Sequence, residues 1–455
     1  MYELRTKICE KNEYEVIVLG GGPAGCAAAV ASARNGAKTL LVEAGGYLGG
    51  MGTTGLVPCF GPYGYNFDGE VKRGYGGIAW EVLKKMANKI PFYCNHPQLE
   101  AEWVGIDPEV LKLVYDEMME ENGVDVLFHA RICGVDADDD GNVKAVLIAA
   151  CDGLTAYRAK VYVDGTGNGL TAVWAGAEAE KGDEDGDLMP ATHCFTVGNV
   201  QEYAYLHDSE IGWYHGSMHP GNPRSFIHKV VAEGKHPLIQ DTFLGDNPVG
   251  PSLVGFSAGH IWDVDSTDAQ SLSKAILKGR KVAWDIFGVT KEHFPQAFGG
   301  AHMMATANMI GHREGYRVKG DYELRVEDYI ERKSFPDEIA VSTFEMDIHA
   351  PKDPERVKKL QERIGDNWKP KKGFLGIPYR CLTPKGLKNV LVAGRSISCE
   401  RIVLGSVRIM PVCLATGEAA GVAAALAVGM ENCDVHQVDT DKLRGILRQN
   451  GAIIR

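Results

Sequence analysis

The sequence predicts an α/β protein, with a parallel sheet flanked by helices and an α+β region inserted into it. Three observations lead there. Residues 15–43 read as strand, glycine turn, helix and strand; two later apolar strands, near Val163 and Val392, also run into glycine; and residues 181–372 carry no second unit of this kind. In the first unit the β-formers Val16 to Leu19 enter Gly20-Gly21-Gly22-Pro23-Ala24-Gly25, an Ala-rich helix follows, Gly36 ends it, and Thr39 to Val42 close on Glu43. Gly20 allows the tight turn, Gly22 lets the backbone approach a pyrophosphate, and Gly25 lets helix pack closely on strand. The helix start faces the phosphates with free N–H groups and a positive dipole end. Glu43 lies close to the expected distance of about 20 residues, where a carboxylate accepts the hydroxyls of an unphosphorylated ribose. The unit is therefore Rossmann-like and dinucleotide-binding.

Length and composition set the frame. The 455 residues allow about two or three domains. A 45% hydrophobic and 24% charged chain is of globular type. The 55 glycines exceed the usual ~7% share and suit backbone lying against a large ligand. A net charge of −12 argues against nucleic acid as a bulk partner, because phosphate neutralisation needs clustered Lys and Arg. It leaves room for a local basic pocket. Eleven scattered cysteines without Cys-x-x-Cys argue against a disulfide framework, a zinc ribbon or an iron–sulfur cluster, so no metal is expected and a reducing cytoplasm fits best. Met1 to Lys7 lack an apolar signal core. No stretch reaches the ~18 apolar residues of a membrane span, and the apolar helix at Ala419 to Val428 reads as buried.

Along the chain, Gly45 to Gly55 is too glycine-rich for a stable helix and suits an extended loop against a flat ligand. Glu70 to Pro97 mixes helix and loop. Asp107-Pro108 opens a helix that runs to Asn122-Gly123. Strands are expected at Val124–His129, Val143–Ala149 and Arg158–Val163. Near the C-terminus Val390 to Val392 enters Gly394, and a small-residue helix runs from Pro411 to Val428. Residues 1–180 and 381–455 then form a discontinuous nucleotide-binding domain of parallel sheet plus β-meander. Residues 181–380 form a substrate or cap domain, and 61–105 are open to either.

Several further segments join these: Asp164-Gly165-Thr166-Gly167, His312-Arg313-Glu314, Met346-Asp347-Ile348-His349, Ile377-Pro378-Tyr379-Arg380, Asn389 to Ser398, and Ser406-Val407-Arg408-Ile409-Met410-Pro411. With them the chain resembles the bacterial FAD-dependent oxidoreductases of the glutathione-reductase-like superfamily, on the branch of fumarate reductase and the glucose-inhibited-division-type flavoproteins. The likeness spans most of the chain. It implies FAD and no particular substrate. It implies that Gly20, Gly22, Pro23, Ala24, Gly25, Glu43 and Ala44 hold the ADP half. Asp164, Gly165, Thr166 and Gly167 would lie near the pyrophosphate or ribitol. Gly50, Met51, Gly52, Thr53 and Thr54 would run along the flavin, the threonines bonding the ring edge. Gly394 and Arg395 would close over the flavin side, with Arg408 and Met410 at the start of a helix aimed at its pyrimidine end. A positive dipole end there stabilises the anionic reduced ring. Relatives with covalent flavin use a His in the glycine loop. This loop has none, so the FAD is expected to be non-covalent.

Flavin chemistry moves a hydride to or from N5, and a nearby acid or base handles the proton. His349, two residues after Asp347, is the first candidate; in a strand both side chains would share a face and the Asp would orient the imidazole. A structural His is the alternative. Arg380 suits clamping an anion or moving a proton, as an Arg does in the fumarate-reductase-like relatives, and equally suits an ordinary ion pair. Tyr379 beside it reads equally as packing. His312 and Arg313 follow a Met- and Ala-rich segment that reads as helix; they line the flavin's outer face or end a charged helix. Arg401 and Arg408 contact an anion or bridge domains. Cys59 and Cys399 lack a paired thiol, which argues against a disulfide reductase. A single dinucleotide fingerprint leaves no dedicated nicotinamide domain, so electrons pass to or from a separate donor or acceptor. The expected function is an FAD-dependent dehydrogenase or reductase acting on a small organic molecule. An FAD monooxygenase or halogenase, an RNA-modifying flavoprotein and a protein using FAD only structurally are the alternatives. The missing Trp-x-Trp-x-Ile-Pro stretch counts against the halogenase, and the acidic charge against RNA. Oligomeric state stays open.

Overall fold

A computed structural model describes residues 8–67, 70–90, 103–207, 224–349, 354–365 and 373–455. In chain order it opens with β1 (Val16–Leu19), α1 (Pro23–Arg34) and β2 (Thr39–Val42), and α2 (Pro108–Glu121) then leads into β3 (Asp125–Leu127). An antiparallel meander follows, β4 (Arg131–Ala137), β5 (Val143–Ala150) and β6 (Gly153–Tyr157), before β7 (Val161–Asp164). A second layer holds β8 (Phe195–Gly198), β9 (Leu244–Gly250), β10 (Leu253–Ala258), α3 (Ala269–His293) and β11 (His302–Thr306). The chain closes with β12 (Val390–Val392) and α4 (Met410–Val428).

The first sheet has the order β12-β7-β1-β2-β3, with every neighbouring pair parallel. β1, β2, β7 and β12 are short apolar runs buried on both faces, against α1 and α4 on one side and the meander on the other, while the edge strand β3 is partly exposed. β1, β7 and β12 all point their carboxyl ends the same way, at Gly20, Gly165 and Gly394. Open α/β sheets bind ligands in the crevice at this edge.

α1 and α4 lie against each other with almost no side chain between them. A Cβ on Gly417 would sit 2.1 Å from the Ala24 carbonyl oxygen, and one on Gly421 2.2 Å from that of Ala28. Both helices are rich in Ala because nothing larger fits, and both stay buried along most of their length.

The second sheet runs β9-β10-β8-β11. α3 covers it with Val282, Ala283, Ile286, Phe287 and Val289, which join Phe195, Val197 and Phe256 in one core. The Asp268 carboxylate caps α3 by accepting from the Ser271 N–H.

The helix expected from Asp107 forms, with the Asp107 carboxylate accepting from the Glu109 and Val110 N–H groups. Other elements depart from the sequence reading. The strand expected at Val124–His129 forms as β3 of the parallel sheet, and the meander holds β4 and β6, which the sequence reading did not pick out. Gly134 interrupts β4, an edge strand, and β6, flanked by β5 and by Cys9–Lys11, begins with exposed residues. The Met- and Ala-rich run before His312 is strand β11, not helix: it pairs with β8, and a sheet ladder overrides helix propensity. Asp347 and His349 follow a strand that ends at Ser342, so they lie in an irregular segment. The C-terminal helix forms with the bounds read from the sequence, one residue longer at its start. Among the described residues α4 is one helix long and apolar enough to cross a membrane, and it is mostly buried in the core. Glu70 to Pro97 gives a strand, Glu70–Arg73, and a helix, Gly77–Lys89; its last residues, like Met1 to Lys7, lie outside the described residues.

Gly421→Ala should destabilise the protein by about 1–3 kcal/mol, the cost of overpacking a close contact. Gly288→Ala, on α3 with open space around it, should be neutral or stabilising by up to about 1 kcal/mol. Thermal unfolding of the two variants checks this contrast, and equal shifts would show that the α1–α4 contact is not tight.

Candidate active site

The glycine turn after β1 is closed underneath and open above. Gly20 has a φ of +96°, and a Cβ there would stand 2.6 Å from the Gly165 carbonyl oxygen; one on Gly25 would stand 1.8 Å from that of Gly20. A Cβ on Gly22, by contrast, meets nothing within 4 Å. That free space lies beside the uncapped start of α1, at Pro23 and Ala24, where a pyrophosphate needs both room and donors. Glu43 is held by two backbone N–H groups, Gly21 to Oε2 at 2.7 Å and Gly45 to Oε1 at 2.6 Å. A carboxylate has about four acceptor sites, so two remain for ribose hydroxyls. Ala44 is exposed beside it. These residues fit the ADP half of FAD.

The glycine loop folds back over the turn. Gly49 donates to the Gly21 carbonyl, and a Cβ on Gly50 would lie 3.0 Å from the Gly22 Cα. Gly52 approaches the Met410 sulfur at the start of α4, and Met51 packs against Gly55. Thr53 does not have the role expected for it: its hydroxyl donates to the Leu48 carbonyl at 2.6 Å, buried inside the loop. Thr54 acts through its backbone, accepting from the Asn308 and Met309 N–H groups, which ties the loop to the segment after β11.

At the next strand end, Asp164 is fully buried and accepts from Thr166, Thr171 and Ala172. It shapes the turn through Gly165, Thr166 and Gly167 rather than facing a ligand. Gly394 sits between Ala24 and Cys413, the first turns of α1 and α4, so both uncapped helix starts open beside one residue. Arg395 donates to the Gly167 and His312 carbonyls and to Asn168 Oδ1, and meets the His312 ring. Burial, then Arg395, lowers the His312 imidazole to about 3. Burial, then Arg408, lowers Arg395 and Arg313 alike, each to about 10, with Arg408 the lesser influence.

Beside the start of α4 lies a half-buried chain of titratable groups, its two imidazoles more covered than its two carboxylates. Asp241 Oδ2 stands 2.9 Å from His260 Nδ1, His260 Nε2 2.7 Å from His349 Nδ1, and His349 Nε2 3.4 Å from Asp347 Oδ2. Arg408 donates from Nη2 to Asp347 Oδ2 at 2.6 Å and to the Asp347 carbonyl. Phe243 stacks on the His260 ring at 4.4 Å and carries the Arg313 guanidinium near its own ring, 5.1 Å from the centroid. Burial, followed by the Arg313 charge, lowers His349 to about 3 against the pull of Asp347. Burial also lowers His260, against Asp241. Both carboxyls stay below their ordinary range. Burial raises Asp347, but Arg408, His349 and Arg313 outweigh it; burial raises Asp241, but its bond to His260 prevails.

Three consecutive residues thus part company. His312 turns to Arg395, Arg313 to Phe243 and the chain, and Glu314 to Arg401 at 3.1 Å. Arg401, which also faces Asp183, bridges elements. Arg380 does not join the cluster. It is half-exposed, ion-paired to Asp337 at 2.9 Å and set over the Tyr322 ring; strand Leu375–Pro378 pairs with Glu338–Ser342 and delivers it there. Tyr379 is packing, its hydroxyl bonded to the Val435 carbonyl. The ten described cysteines are free. Sequence reasoning missed Asp241, Phe243 and His260, because they lie far from Asp347 and His349 in the chain and show no spacing pattern among themselves.

The model of the FAD dependent oxidoreductase family matches residues 15–447. A tRNA uridine 5-carboxymethylaminomethyl modification enzyme of Lactobacillus acidophilus is 39% identical over 80 residues, 18% of this chain and 12% of that enzyme. Its namesake from Geobacter metallireducens is 29% identical over 139 residues, 30% of this chain and 21% of that enzyme. The matches thus span only 12% and 21% of these two relatives. Among solved structures, a geranylgeranyl bacteriochlorophyll reductase-like protein of Thermoplasma acidophilum superposes with a TM-score of 0.48 at 14% identity, over 97% of this chain and 84% of that one. The flavin-dependent brominase Bmp2 gives 0.44 at 14% identity, over 96% and 83%.

Glu43→Ala should lower the flavin content of the purified protein, read as flavin absorbance per chain; full loading would remove Glu43 from ribose binding. Acid should destabilise the fold through His312 and His349. Each is neutral in the folded state down to about pH 3, whereas in the unfolded chain each binds a proton below about 6.5. Stability therefore falls as pH drops from about 6.5 towards 3, by up to about 1.4 kcal/mol per pH unit for each group. Denaturant unfolding at pH 5 and pH 7 should show a smaller difference in His349→Asn than in the parent chain.

Proposed function

This chain belongs to the FAD dependent oxidoreductase family, and on that premise we propose that it exchanges a hydride between FAD and a small organic substrate. The electrons then pass to or from a separate donor or acceptor, since one dinucleotide-binding unit is present. The observation that carries this reading is the half-buried chain Asp241–His260–His349–Asp347 beside the start of α4.

FAD supplies the site that accepts or gives the hydride. The chain's residues supply the rest. Gly22, the start of α1 and Glu43 hold the dinucleotide, and Gly50 to Gly52 close over it. His349 takes the substrate's proton at Nε2, or returns it in the opposite direction. Asp241 fixes the His260 ring, and His260 in turn fixes His349, so Nε2 keeps one orientation. Phe243 stacks on His260 and holds the plane of its ring. Arg408 holds Asp347 beside Nε2, where the carboxylate steadies an imidazolium as it forms.

Anaerobic photoreduction of the purified protein, followed by a panel of oxidants at the flavin absorbance, tests the reaction class. Prompt reoxidation by an organic acceptor or quinone is expected. Rapid reoxidation by O₂ with oxygen appearing in a product would make the enzyme a monooxygenase instead. His349→Ala should keep its FAD yet slow substrate-linked turnover at least ~100-fold, and undiminished turnover would remove His349 from the mechanism.

A further inference from the structure

The chain of carboxylates and imidazoles does not have enough protons to satisfy itself. It contains three contacts, and ionised carboxylates only accept. Two neutral imidazoles hold two N–H donors. If His260 Nδ1–H serves Asp241 and His349 Nδ1–H serves His260 Nε2, then His349 Nε2 is a bare acceptor facing the acceptor Asp347. That contact is also the longest of the three, at 3.4 Å. A third proton would complete the chain.

What keeps that proton out is burial and two cations. The charged and titratable groups facing His349 are Asp241 from the loop before β9, His260 after β10, Arg313 after β11, Asp347 on its own segment and Arg408 before α4. Arg313 is nine-tenths buried, yet no carboxylate pairs with it among the described residues. Its Nη1 serves two neutral acceptors, the Pro190 carbonyl and Thr192 Oγ1, while Nε and Nη2 have no partner among the described residues. Arg408 spends Nη2 on Asp347, and its buried Nε is unpartnered. A buried cation without a counter-ion is costly, and a bound anion removes the cost.

Resting on the reading above, we propose that the substrate is an organic anion of the carboxylate or enolate class, held by Arg313 and Arg408, and that its binding draws one proton onto the His260–His349 pair. Pairing both cations with an anion removes the charges that oppose an imidazolium. Asp241 and Asp347 stay in place on either side, so the incoming proton makes the missing third hydrogen bond. The anion thereby loads the relay with the proton its own reduction consumes.

Isothermal titration of the FAD-loaded protein at pH 6 tests this, using acetate, malonate and benzoate against their neutral amides, in buffers of different ionisation enthalpy. At least one carboxylate should bind at least ~10-fold tighter than its amide and take up close to one proton per site. His349→Asn and His260→Asn should cut that uptake towards zero. Arg313→Met should weaken carboxylate binding at least ~10-fold, and Arg313→Lys should recover part of it; flavin absorbance in each variant reports that the fold and cofactor survive. Binding without proton uptake, binding no tighter than the amides, no binding of any carboxylate at 10 mM, or an unaffected Arg313→Met each overturns the proposal. A parent protein that fails to hold FAD would instead overturn the functional reading itself.

Discussion

The contact between α1 and α4 governs the site. Two helices that touch through backbone at Gly417 and Gly421 cannot shift independently. Their first turns therefore lie side by side, with Gly394 between them. Each start brings unpaired N–H groups and a positive dipole end to the same edge of the sheet. The proposed dinucleotide site spans that edge, and the segment carrying Arg408 enters α4 directly. Cofactor cradle and relay are thus placed by one packing decision, made where side chains are smallest.

Electrostatics at that edge runs against the protein's overall charge. The chain is acidic by 12 charges, yet four arginines, 313, 395, 401 and 408, gather around the crevice. Arg401 and Arg408 are answered by Glu314 and Asp347. Arg395 and Arg313 are met by carbonyls, an amide, a hydroxyl and rings. Burial lowers both, and among the described residues no carboxylate pairs directly with either. Net charge describes the surface and long-range behaviour of a chain; it says little about a pocket whose walls exclude water.

The parallel sheet was legible in the sequence because its signals are local. β1, the glycine turn, α1, β2 and Glu43 are contiguous, and each restricts the next; Asp107-Pro108 announces α2 by the same logic. Local propensity failed where partners are distant. β11 looks helical until β8 pairs with it. Thr53 looks free to meet a ring until the loop curls and offers the Leu48 carbonyl. Arg380 looks like the anion clamp in the sequence, and only the strand pairing that carries it to Asp337 takes it away from the site. His349 could be nominated from its nearness to Asp347, but not for the reason given: the two meet across a short irregular turn, with Asp347 and Ile348 donating two residues back.

The relay draws on every layer of the molecule. Asp241 and His260 come from the second sheet and its approaches, Asp347 and His349 from the segment after Ser342, and Arg408 from the threshold of α4. Such a site is complete only when the two sheets are docked, which makes its geometry a tertiary property with no local signature. It also explains the order of the hydrogen bonds. The outer contact, Asp241 to His260, is short and fixed within one layer, and the His260–His349 bond crosses between layers and is shorter still. The last contact, at 3.4 Å, is the loosest and lies beside the two arginines. A chain anchored at one end and slack at the other exchanges a proton most readily at the slack end, which is where the proposed function puts its acid and base, at His349 Nε2.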